Sequence, residues 1–116
     1  MKISVLIISS LACLAGPLQK APPAAAARQN PLDRQERATA AGAKLYKQEC
    51  AACHGSKAEG RDKTPPLLRA DVQGAPAGAI FWVLRNGSLW RGMPSFAHLP
   101  DQQRWQIVAY IKSLNQ

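Results

Sequence analysis

From about Leu32 to Cys50, apolar positions recur every three or four residues. Ala38, Ala41, Gly42, Leu45 and Tyr46 form one stripe in a segment rich in Ala, Gln, Glu, Lys and Arg. That is the period of an amphipathic helix, built from good helix formers. Asn30-Pro31 suits its start, since Asn caps and Pro fits the first helical position. Pro76 to Leu84 predicts a second, shorter helix, with Asn86-Gly87 as its C-cap signal. A third opens at Pro100-Asp101, where Trp105, Val108 and Ile111 join Ile107, Tyr110 and Leu114 on one broad apolar face. No run alternates with period two. The pattern predicts an all-α domain of three principal helices.

Two stretches between these helices have no period. Gly55–Gly74 carries Thr64-Pro65-Pro66-Leu67-Leu68, and is longer than a compact domain keeps without a purpose. Ser88–Leu99 carries Gly92-Met93-Pro94. Ahead of the domain, Lys2 is followed by an apolar run from Ile3 to Ala15 and then by small residues ending in Ala24–Ala27. A charged start, a short apolar core and an alanine-rich exit describe a secretory signal peptide. The run is too short for a membrane span, which needs about 20 residues. The expected division is a leader over 1–27, cut near Ala27, and a domain over 28–116. Cys13 offers a second reading as a lipidated cysteine, leaving 14–35 as a tether. Ser10-Leu11-Ala12 lacks the large aliphatic expected three positions before it, so a free exported domain is the default.

Charge adds a partner class. The 116 residues carry a formal +8, and beyond residue 27 there remain 13 basic against 7 acidic side chains, a formal +6. Such a balance suits an acidic protein, nucleic acid or a membrane surface, or serves only solubility. Scattered basic residues and export argue against nucleic acid and favour an acidic protein partner. A core of about 85 residues is also marginal by itself, which leaves room for a bound apolar group.

Cys50-Ala51-Ala52-Cys53-His54 supplies that group. Cys-x-x-Cys-His is the attachment pattern of c-type haem: two thiols on one turn form thioethers with one porphyrin, and the adjacent imidazole ligates the iron. A thioredoxin-like pair lacks its βαβ context, and a structural zinc site needs four ligands where only Cys13 and His98 remain. One haem c, attached through Cys50 and Cys53 with His54 as proximal ligand, follows. Met93 is the sixth-ligand candidate: its thioether is soft, pairing with His raises the reduction potential, and Gly92 and Pro94 shape the chain beside it. His98 is the rival. Trp82 and Trp90 are candidates for the pocket wall.

With these residues in place, positions 33–115 resemble the class I cytochromes c of small bacterial periplasmic type. The resemblance rests on Cys50–His54 and Gly92-Met93-Pro94-Ser95-Phe96, with support from Thr64–Leu67 and from Trp105 through Ile111. It implies a cytochrome c-like fold of three helices around one haem, in which Gly42 and Tyr46 meet Ile107 and Tyr110. It implies that Pro65 or Pro66 lends a carbonyl to the second ring nitrogen of His54, and it places Pro66 and Leu67 at the haem. The function implied is one-electron transfer between periplasmic redox partners rather than enzymatic turnover. The alternative is a dedicated cytochrome subunit of a periplasmic dehydrogenase or oxidase complex. A peroxidase-like enzyme or gas sensor would need an open or displaceable sixth position. Lys57, Arg61, Lys63, Arg85 and Arg91 are candidates to steer an acidic partner.

Overall fold

The computed structural model describes residues 16–115; Cys13 and most of the expected leader lie outside them. Six α-helices follow in order: α1 Pro23–Ala26, α2 Glu36–Glu49, α3 Ala51–His54, α4 Ala70–Gln73, α5 Ala77–Asn86 and α6 Asp101–Ser113. Short 3-10 turns occupy Pro17–Lys20 and Leu89–Arg91. The described residues contain no strand, only isolated bridges at Arg61–Thr64 and Ser88–Met93. The all-α expectation holds, and α2, α5 and α6 are its three principal helices.

The start of α2 differs from the sequence expectation. Asn30-Pro31 opens a single turn, because Asn30 Oδ1 accepts the N–H of Leu32 at 2.9 Å while its Nδ2 donates to the Trp105 carbonyl at 2.9 Å. Arg34, at φ +58°, then reverses the chain before Glu36 begins the helix. Asn30, 8% exposed, is a long-range anchor more than a helix cap.

Gly42 governs the crossing of α2 and α6. A Cβ there would lie 1.9 Å from the Gln106 carbonyl oxygen and 2.9 Å from Cβ of Tyr110. The expected neighbour on this side was Ile107; the closest approach is to the Gln106 backbone one residue earlier. Ile107 is buried in the same core, and the Tyr46 and Tyr110 rings lie 5.2 Å apart. Tyr46, Ile107 and Val108 are its most enclosed large side chains, and each such burial contributes roughly 2 kcal/mol.

α5 is apolar on almost every side: Gly78, Ala79, Ile80, Phe81, Val83 and Leu84 are all buried. Phe81 stacks on Trp105 of α6, with centroids 3.8 Å apart. The first long loop is stapled to α6 through α4. Gln73 Nε2 donates to the carbonyls of Leu67 (2.9 Å) and Ile111 (3.0 Å), and Lys112 Nζ donates to those of Gln73 (2.6 Å) and Ala75. Burial pushes the Lys112 pKa down, and the negative charge of Asp33 acts against that shift.

Candidate functional site

Cys50 ends α2, and its carbonyl accepts the N–H groups of Cys53 (3.2 Å) and His54 (2.9 Å), which fixes Cys50–His54 as one tight turn. Gly55, at φ +89°, stops that turn. Its carbonyl accepts the buried Tyr46 hydroxyl at 2.6 Å, and that of His54 accepts the Gly60 N–H at 2.7 Å. The motif is therefore tied to the helix before it and to the loop after it.

Cys50 is buried and Cys53 exposed. Burial pushes the Cys50 thiol up to about 12, with the nearby charge of Glu49 adding to the rise. Among the described residues no group of three or more His, Cys, Asp or Glu side chains could hold a metal ion.

His54 is half-buried, and desolvation lowers its pKa while the Pro65 carbonyl works in the other direction. Its Nδ1 lies 3.4 Å from that carbonyl oxygen, so Pro65 is the one of the two prolines that faces the ring. With Nδ1–H turned to a carbonyl, Nε2 keeps its lone pair free. This outer contact is the usual device that orients a ligating imidazole and sets its tautomer.

Met93 leaves the second loop half-buried and packed on the core. A two-way bridge holds it: Met93 N–H donates to Ser88 O at 3.0 Å, and Ser88 N–H to Met93 O at 2.9 Å. Phe96 N–H donates to Leu84 O at 2.7 Å, and Ser95 Oγ to Arg85 O at 2.5 Å, pinning the chain after Met93 to the end of α5. Sequence reading missed one determinant here. Gly87 does more than cap α5: at φ +70°, a Cβ would meet the backbone of Met93, Pro94 and Ser95 at 2.8 Å each. Gly87→Ala should therefore push the Met93 segment outward and cost about 2 kcal/mol, read as a lowered Tm.

Of the other candidates, Pro66 and Leu67 are half-buried in the first loop, with Leu67 N–H donating to Ala58 O at 2.9 Å. Trp82 is half-buried on α5, and Trp90 is 98% exposed. His98 is exposed, its ring 6.0 Å from that of Phe96. The large hydrophobic side chains exposed among the described residues are Leu68, Leu89 and Trp90. They stand on the two loops that carry His54's proline partner and Met93. Two thiols on one turn and an imidazole with Nδ1 against a carbonyl suit a covalently held macrocycle. The residues present fit a haem.

Comparison with known sequences decides the family. The family described as cytochrome c oxidase, cbb3-type, subunit III matches residues 37–111, from the start of α2 almost to the end of α6. The chain belongs to this family. A related protein, the cbb3-type cytochrome c oxidase subunit FixP of Sinorhizobium medicae, is 36% identical over 92 residues, covering 71% of this chain and 32% of that protein. The chain thus spans about a third of the length of the curated relative it matches. Membership in the cbb3-type subunit III family makes this a c-type cytochrome domain, and its matched stretch contains both Cys50–His54 and Met93.

Proposed function

We propose that the chain carries one haem c and passes single electrons as a dedicated cytochrome subunit of a larger redox complex on the outer face of a membrane. The observation that carries the electron-transfer reading is the Cys50–His54 turn, with His54 Nδ1 against the Pro65 carbonyl. Cys50 and Cys53 would hold the haem, with His54 and Met93 as axial ligands and Leu67, Trp82 and Trp90 against the ring. The haem supplies an iron that exchanges one electron. The protein's part would be to supply His54 and Met93 as iron ligands, exclude water and orient the imidazole, and a His/Met ligand pair would favour the reduced state.

The sequence alone favoured a free periplasmic carrier. The family match favours the dedicated subunit, since the relative of known kind is an oxidase subunit. No helix among the described residues is long and apolar enough to cross a membrane, so attachment to a complex would run through protein contacts or through residues outside that range. Arg85 and Arg91 are exposed and flank Leu89 and Trp90 in sequence, charges that suit an acidic docking surface. Mild detergent extraction followed by native electrophoresis tests the assignment. The haem-stained chain should migrate with a larger oxidoreductase; recovery solely as a free soluble cytochrome would return the reading to a carrier.

A further inference from the structure

The segment read as the exit of a leader is packed into the fold. Leu18 lies against the core cluster. The end of α1 rests on the backbone of α5 at Gly78, where a Cβ would lie 2.1 Å from Ala25 O, 2.8 Å from Ala26 O and 2.7 Å from Arg28 O. The Arg28 guanidinium stands 4.9 Å from the Phe81 centroid and 5.4 Å from that of Trp105. Asn30 then locks the strap down through the Trp105 carbonyl.

The sequence of α5 explains why a strap is there. A helix hydrophobic all round must be covered on all sides, and α6 covers one. Gly78 sits inside this helix, where glycine is less stable than alanine. The three carbonyls of the strap are the nearest atoms a side chain there would meet. A cut after Ala27 would take Leu18 from the core and the Ala25 and Ala26 carbonyls from Gly78, leaving that of Arg28.

We propose that residues 17–28 are part of the mature protein, so that leader removal is confined to peptide bonds before Pro17. This rests on the reading of the N-terminus as an export leader and moves its boundary from Ala27. The strap is a structural piece of the cytochrome domain, covering α5 beside its contact with α6.

Intact mass and N-terminal sequencing of the haem-loaded protein from its own host provide the first test. A first residue at or before Pro17 is expected, and one beyond Pro17 overturns the proposal. A first residue of Met1 keeps the strap but overturns the leader reading, so the two failures are distinct. The second test compares Gly78→Ala in the full chain and in a chain beginning at Gln29 behind a heterologous leader. With the strap present, the substitution should lower Tm by about 5 °C or more. Without it, Gly78→Ala should leave Tm unchanged or raise it. A strapless chain that yields no haem-loaded protein also supports the proposal. Equal Tm values for the two parent chains, or an equal Gly78→Ala cost in both, contradict it.

Discussion

Gly42→Ala should lower stability by about 3 kcal/mol or more and Tm by about 10 °C or more. The cause is one methyl group at the α2–α6 crossing. Its carbon would stand 1.9 Å from the Gln106 carbonyl oxygen, a backbone atom that no rotamer change can move aside. The helices must separate, and with them Tyr46, Ile107 and Val108, the most enclosed large side chains. A domain of this size holds only about 5–15 kcal/mol in total, so the variant should accumulate poorly. Lys44→Ala, on the exposed side of the same helix, should stay within about 0.5 kcal/mol of the parent. Thermal unfolding of the haem-loaded proteins measures both; equal Tm values for Gly42→Ala and the parent would remove the crossing from the account.

Met93→Ala carries the largest functional effect. The loop holding Met93 is braced by the Ser88 bridge and by the bonds of Ser95 and Phe96 to the end of α5. Truncation should therefore change the iron site and leave the fold in place. The oxidised variant should lose the methionine–iron charge-transfer band, its reduction potential should fall, and the reduced variant should bind carbon monoxide where the parent does not. Carbon monoxide binding by the reduced parent at neutral pH would favour the sensor or enzyme reading. A band that persists in Met93→Ala would move the sixth ligand elsewhere, with His98 the next candidate.

Helix periodicity made α2, α5 and α6 legible, because each buries a continuous face whose spacing survives in the sequence. Cys50–His54 stands out in the sequence because the haem attachment proposed for it needs only five consecutive residues. Asn30 misled for a physical reason. Its local signal is that of a helix cap, whereas its amide is spent on the Trp105 carbonyl 75 residues away. Gly87 and Gly78 act through backbone contacts to distant segments, and a sequence does not display such contacts. The strap was hidden by composition, since Pro22-Pro23 and Ala24–Ala27 look the same as a leader exit and as a short packed helix. The choice between carrier and complex subunit lay outside the chain's own chemistry, and the family match bears on it.

The central claim is that the Cys50–His54 turn holds one haem covalently. Mass spectrometry of the acid-denatured protein, produced with haem-attachment machinery, tests it most directly. The parent should retain the added mass of one haem after denaturation, and Cys50→Ser/Cys53→Ser should retain none. A parent at the mass of the bare chain, or a double variant that still carries the haem, would contradict the account.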